Sequence, residues 1–139
     1  MKMHHILRVL VGVAASVGAA GAMAQTGLTA SPTSLAFSIG GGLSQFKTVT
    51  ITNGGPGFAS NVVVLLSGNG GPPHDDVYIV GDTCSGATLA NGGTCTVRLG
   101  FDSQCPKSWF SSWNLNLSAT GVTGVHVPIT ATSRGGECQ

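Results

Sequence analysis

The sequence predicts an all-β protein, an antiparallel β-sandwich of about seven strands. Apolar and polar residues alternate with the period of two that strands with one buried face require. These stretches are short, recur about every ten residues and are separated by turn residues, including many of the 22 glycines in the chain. Only 8% of the residues are charged, and no stretch has the 3.6-residue period of an amphipathic helix. Short strands joined by glycine-rich turns account for this composition.

The first 24 residues are predicted to be a secretory signal peptide. Lys2 and Arg8 provide a basic start, an apolar run extends from Ile6 to Ala20, and Ala22-Met23-Ala24 is an A-x-A cleavage site. A membrane anchor is the alternative, but the uninterrupted part of the run is shorter than the roughly 20 residues that a spanning helix needs. We therefore expect one domain over residues 25–139, secreted or periplasmic in a bacterium, with no membrane span after cleavage.

The charge of the predicted mature chain excludes one class of partner. Residues 25–139 contain four Lys and Arg against five Asp and Glu, a net charge of −1. There is no basic patch of the kind that binds nucleic acid or anionic lipid, so we expect neither as a partner. The length is sufficient for a single domain with a single core.

Each predicted strand is followed by turn residues. Pro32 separates the first two strands, and Pro128 in the last one indicates an edge or a bulge, because proline cannot donate to a ladder. Ala59–Leu66 is apolar without alternation, which favours a central strand. The segment from Asp102 to Ser112 is too irregular to predict as a strand. The prediction comprises a short piece at Leu28–Ala30 and seven longer strands: Ser34–Ile39, Phe46–Thr52, Ala59–Leu66, two strands between Val77 and Phe101, Trp113–Ala119 and Thr123–Thr132.

Alternation within these strands predicts the core. Val77 and Ile79 form the apolar row of the strand that precedes Cys84 and Cys95. Trp113 is expected to pack against the core. The other residues expected to be buried are Val49, Ile51, Val63, Leu65, Val97, Leu99, Phe101, Leu115, Leu117, Val127 and Ile129.

The four cysteines are predicted to form two disulfides. All of them follow the signal peptide, and an even number of cysteines in an exported chain indicates disulfide bonds. Three pairings are possible; proximity favours Cys84–Cys95, at the inner edges of one loop, which leaves Cys105–Cys138 to tether the C-terminal tail. Separations of 11, 10 and 33 residues match no common zinc pattern, so we expect no metal at these cysteines.

Two stretches resemble the choice-of-anchor D domains of secreted bacterial proteins, which are immunoglobulin-like sandwiches related to Hydin-type and major-sperm-protein-like modules. The first begins at Ser31-Pro32 and includes the strand end from Val49 to Asn53. The second is DTCSGATLANGGTCTVRLGF, in which Asp82, Cys84 and Cys95 occupy the distinctive Asp-x-Cys and Gly-x-Cys-Thr places. The resemblance covers about Leu28–Thr132 and implies an immunoglobulin-like fold and export. The added Cys105 departs from the pattern, and the family has no common active site to transfer.

No catalytic constellation is evident in the sequence. The mature chain has no G-x-S-x-G motif, and its two histidines, His74 and His126, lack a recognisable catalytic setting. His74-Asp75-Asp76 is a dense polar cluster, but two neighbouring carboxylates are few for calcium, and an acidic loop leading into a strand is the preferred interpretation. We expect no enzyme activity, no catalytic residues, no cofactor and no metal.

The candidate binding residues are Trp109 and Phe110, in the motif WFSSW. Exposed aromatic side chains can stack on sugars or anchor a protein partner. Trp113 is expected in the core. The alternative is that Trp109 or Phe110 covers the open end of the sandwich, and the sequence leaves this choice undecided for Trp109. The sequence thus predicts a secreted, non-enzymatic module with a structural, adhesive or protein-interaction role. The alternative is a carbohydrate-binding module that uses Trp109 and Phe110. The expected partner is a protein or a cell-surface glycan, and the oligomeric state is left open.

Overall fold

A computed structural model describes residues 27–69, 77–103 and 108–135, and every regular element in these ranges is a β-strand. The strands are β1 (Leu28–Ser31), β2 (Leu35–Ile39), β3 (Ser44–Asn53), β4 (Ser60–Gly68), β5 (Val77–Asp82), β6 (Thr94–Asp102), β7 (Ser108–Thr120) and β8 (Val122–Arg134).

The strands form two four-stranded sheets, which confirms the predicted sandwich. One sheet has the order β1-β3-β6-β5, and the other has the order β2-β8-β7-β4. The described ranges contain eight strands. All pairs of neighbours are antiparallel except β2 and β8, which run parallel from Leu35 opposite Ile129 to Ile39 opposite Ser133. Pro128 lies one residue before this pairing begins, so β8 has β2 as a neighbour only beyond the proline.

The inner faces of both sheets meet in one apolar core. Phe37 of β2 and Phe101 of β6 join the sheets, with ring centroids 5.9 Å apart. Except for Val63 and Leu65, the eleven predicted core residues are buried, and Trp113 is half-buried and packs against them as predicted. The buried residues that the sequence did not assign to the core include Leu28, Leu35, Phe37, Ile39, Val62, Leu89 and Ala131.

The prediction for β4 was wrong in phase and in position. Val62 is buried, whereas Val63 and Leu65 are 51% and 59% exposed. β4 is an edge strand of its sheet and not a central one. A continuous apolar run carries no alternation from which the inward face can be read. The register with β7 also shifts between Ser60 and Val63, where Asn61 has φ 52°, a left-handed conformation that asparagine tolerates.

Two smaller predictions were also wrong. Ile79 is exposed rather than buried, because β5 is the edge strand of the first sheet and its register with β6 shifts between Ile79 and Gly81. β7 begins at Ser108 and not at Trp113, since its first residues pair with the end of β8 from Ser108 opposite Arg134. Cross-strand pairing extends the strand through a segment whose own sequence has no strand pattern.

A buried asparagine joins the turn after β3 to the loop after β5. The Asn53 side chain donates to the carbonyls of Gly57 at 2.7 Å and Leu89 at 2.9 Å, and it accepts from the Gly55 N–H at 2.9 Å. All three bonds are made by a fully buried side chain. Because a buried amide without partners is costly, these bonds fix both loops at one end of the sandwich.

Candidate interaction surfaces

The disulfide predicted between Cys84 and Cys95 is confirmed, and it shapes the loop between β5 and β6. The two Cα atoms are 5.0 Å apart, and both cysteines are buried. Asp82 fixes the start of this loop because its Oδ1 accepts from the N–H groups of Cys84 at 2.6 Å and Ser85 at 3.0 Å. The aspartate of the Asp-x-Cys motif is therefore a turn cap.

The disulfide loop crosses from the first sheet to the edge of the second. The Val62 N–H donates to the Ala87 carbonyl at 3.0 Å, and the Val62 carbonyl accepts from Gly86 at 2.7 Å. Ala59 and Leu89 exchange two further backbone bonds of 2.8 and 2.9 Å. The loop runs antiparallel to β4 and thus acts as a short additional strand beside its first residues.

Beyond Val62, the edge of β4 has no backbone partner within residues 27–69, 77–103 and 108–135. The strand continues as Val63–Gly68 in unbroken register with β7, from Val63 opposite Ser118 to Gly68 opposite Trp113. Neither β4 nor β7 contains a charged residue. The exposed Val63 and Leu65 side chains lie on the outer face, while Val64 and Leu66 are half-buried at the margin of the core. This part of β4 is therefore apolar on both faces.

Trp109 and Phe110 are both exposed, to 36% and 59%, but they do not form one surface. They are consecutive in β7, so their side chains leave opposite faces of the sheet. Trp113 is held by its surroundings: its Nε1 donates to Ser111 Oγ at 2.9 Å, and its ring lies so close to Gly68 that a Cβ there would be 2.4 Å away. The WFSSW motif thus divides into two exposed residues and one packed tryptophan.

The outer face of the first sheet has an aromatic group that the sequence analysis did not identify. Phe46 and Tyr78 flank Gly100 across three strands, and the Arg98 guanidinium lies 4.9 Å from the Phe46 ring centroid. The Tyr78 hydroxyl donates to Asp102 Oδ1 at 3.0 Å. Burial raises the pKa of Tyr78 above 10.0, and the hydrogen bond and negative charge of Asp102 act in the same direction. The sequence alone gives no signal for this group, because Phe46, Gly100 and Tyr78 share a register only once three strands have paired.

The described ranges contain no group of three or more His, Cys, Asp or Glu side chains that could hold a metal ion. In the same ranges, every buried polar side-chain atom has a hydrogen-bond partner. No helix in this part of the chain is long and apolar enough to cross a membrane. The predicted signal peptide, the His74-Asp75-Asp76 cluster and the pair Cys105 and Cys138 lie outside the described residues.

The fold has counterparts among known structures, although no family model and no curated protein matches the chain. The ASH/PapD-like domain 7 of human CEP192 superposes with a TM-score of 0.52 at 13% identity, over 99% of each chain. The secreted serine protease VesC of Vibrio cholerae superposes with a TM-score of 0.59 at 22% identity, over 78% of this chain. Our chain spans 23% of the length of that protease. At these identities the likeness is one of fold alone.

The comparisons and the topology together define the class. The fold is an immunoglobulin-like β-sandwich. It has two four-stranded sheets, no helix in the described ranges and a PapD-like counterpart that superposes over its full length. The partial likeness to a protease carries no catalytic residue to this chain, since it reflects a shared fold over part of a much longer protein.

Proposed function

We propose that this protein is a non-enzymatic module that binds another protein. The observation that carries the proposal is the second half of β4, an uncharged edge strand with two large apolar side chains exposed on its outer face. Natural sheet edges are normally short, charged, bulged or covered, because an open apolar edge pairs with other chains. A binding role explains why this edge is retained. The PapD-like fold supports the proposal, because immunoglobulin-like sandwiches commonly serve as interaction domains.

We also propose where the protein acts and to which family it belongs. The A-x-A signal and the disulfide support a module exported to the periplasm or the medium, where it would act as a structural or adhesive component. Membership of the choice-of-anchor D domains is part of the same proposal and depends on the Ser31-Pro32 and Asp-x-Cys motifs. Peptide mapping of exported protein without reduction tests the second disulfide, for which a linked Cys105–Cys138 peptide is expected.

Site-specific photo-crosslinking in the producing cell tests the proposed function. We would place a photoreactive amino acid at Leu65, at Phe110 and, as a matched control on the outer face of the same sheet, at Thr130. We expect one dominant protein adduct from Leu65 that is absent from Thr130. An absence of protein adducts from every exposed position would contradict the proposal.

Carbohydrate binding by Trp109 and Phe110 is the second proposal. Their exposure supports it, but their opposite faces mean that a sugar could stack on only one of the two rings. A glycan array probed with the wild type, Trp109→Ala and Phe110→Ala would show which ring is required. Equal glycan binding by all three proteins would exclude this site.

A further inference from the structure

We propose that the free part of β4 binds its partner by strand addition, and that the partner supplies an extended, uncharged segment with apolar side chains at alternate positions. This inference depends on the proposed function and specifies the chemistry of the partner.

The first argument is the direction of the backbone groups of β4. The Asn69 N–H donates to the Ser112 carbonyl at 3.2 Å, so odd-numbered residues at this end turn their backbone groups towards β7. Val62 directs its N–H and carbonyl away from β7 and into the disulfide loop. Because backbone groups alternate in an antiparallel pair, Val64, Leu66 and Gly68 direct theirs to the open edge.

The second argument is that this edge already binds an extended backbone. Residues Gly86–Leu89 of the disulfide loop pair with Ala59 and Val62 in antiparallel orientation. The loop then turns away to Cys84, which is buried in its disulfide. The five residues Val64–Gly68 continue the same edge, and five residues is a common strand length. A bound peptide strand would therefore extend a ladder that the protein itself has begun.

The third argument concerns the side chains that such a strand would meet. On one face it would lie beside the exposed Val63 and Leu65, and on the other it would cover the half-buried Val64 and Leu66. With no charge in β4 or β7, electrostatics neither attract a charged segment nor compensate its desolvation. The complementary partner is therefore apolar and uncharged. Residues 70–76 of this chain include Pro72 and Pro73, which have no N–H to contribute to a ladder.

Hydrogen exchange of the full chain with a defined probe tests the proposal. The probe is a capped peptide of alternating valine and threonine, flanked by lysines, and its control has the same sequence with the four central amides N-methylated. We expect the probe to slow exchange of the Val64 and Leu66 amides by about tenfold or more, a factor equivalent to about 1.4 kcal/mol. The N-methylated control should produce no such protection, because it cannot form a ladder.

A pair of variants separates strand addition from binding elsewhere. Leu65→Lys places a charge beside the added strand and should abolish the protection, whereas Thr130→Lys, on the outer face of β8, should leave it unchanged. Both positions are exposed, so both variants should fold. Equal protection in both variants would overturn the proposal.

The remaining outcomes are equally decisive. Slow exchange of Val64 and Leu66 in the free monomer would show that another part of this chain covers the edge. Protection that grows with protein concentration would show that a second copy occupies it. Either result overturns the proposal of a partner strand. If Leu65 still crosslinks to a protein while no probe protects β4, strand addition fails but the proposed function stands. If no probe protects β4 and no exposed position crosslinks to a protein, both fail.

Discussion

Two of the four edge strands in the described ranges, β4 and β5, expose apolar side chains in different ways. β5 has six residues, an irregular register between Ile79 and Gly81, and a charged last residue, Asp82. β4 has nine residues and no charge, and its register with β7 is regular from Val63 onwards. Exposed apolar residues occur on both strands, but β4, unlike β5, combines them with an unbroken register and no charge.

The difference shows that exposure of apolar side chains and openness of an edge are separate properties. On β5, the Tyr78 ring covers Gly100 and its hydroxyl donates to Asp102, so this exposed side chain is held against the outer face of its own sheet. On β4, the irregular part between Ser60 and Val63 coincides with the part that the disulfide loop covers. The regular part remains available to another chain.

The largest expected effect comes from comparing a buried residue of β6, the neighbour of β5, with an exposed residue of β4. Leu99→Ala should lower the free energy of unfolding by roughly 2–5 kcal/mol, because it leaves a cavity between the sheets. Leu65→Ala should change it by no more than about 0.5 kcal/mol. Urea denaturation of both variants measures the difference. Similar losses would mean that Leu65 contributes to the core and that β4 has a different phase.

Removal of the disulfide should have the next largest effect. The double variant Cys84→Ala/Cys95→Ala should lose about 3 kcal/mol of stability, since the bond closes a loop of moderate length. Hydrogen exchange should also become faster at Val62, which pairs with the disulfide loop, more than at Leu66, which does not. Unchanged exchange at Val62 would show that the cover over the first half of β4 does not depend on the disulfide.

Trp109→Ala should have a small effect on stability. Its side chain is 36% exposed at the start of β7, so we expect a loss below about 1 kcal/mol, well under the 3–5 kcal/mol of a buried aromatic truncation. A thermal melt measures this. The corresponding change in the packed Trp113 serves as the control and should be distinctly more destabilising. A large drop for Trp109→Ala would exclude it as a free binding residue.

The smallest expected effect is a pH dependence at β5. Because the pKa of Tyr78 is raised in the folded protein, the folded state holds this proton more tightly than the unfolded state. The resulting stabilisation is complete below the pKa of unfolded tyrosine, about 10, and is lost as the pH rises through the folded pKa. The stability advantage of the wild type over Tyr78→Phe should therefore shrink above pH about 10. An advantage that stays constant to pH about 11 would show that Tyr78 is not perturbed.

The sequence was informative where apolar and polar residues alternate. Val49 and Ile51 of β3, and Val97, Leu99 and Phe101 of β6, are buried as their period of two predicts. The Cys84–Cys95 bond was predictable because its loop is short and its flanking strands converge. Proximity and periodicity are local properties, and a single sequence displays both.

The features that the sequence did not predict depend on contacts between distant residues. The phase of β4 is invisible in VVVLL, and its position at an edge follows from the order β2-β8-β7-β4. Tyr78, Gly100 and Phe46 come together only after three strands have paired. The sequence left open whether Trp109 is exposed or covers the core, and the opposite orientation of Trp109 and Phe110 required the knowledge that β7 begins at Ser108.

The parallel pairing of β2 with β8 has a consequence for the order of folding. Leu35 and Ile129 are adjacent in space but distant in the chain, so β2 has no place in its sheet until β8 has been synthesised. The antiparallel partners β7 and β8 are joined at Gly121 and can pair locally, whereas closing the loop from β2 to β8 is slow by comparison. Until β2 pairs with β8, the inward-facing side chain of Phe37 is not packed in the core. The newly made chain would then expose β2 until β8 has formed, and during this period it is most open to aggregation or to a chaperone.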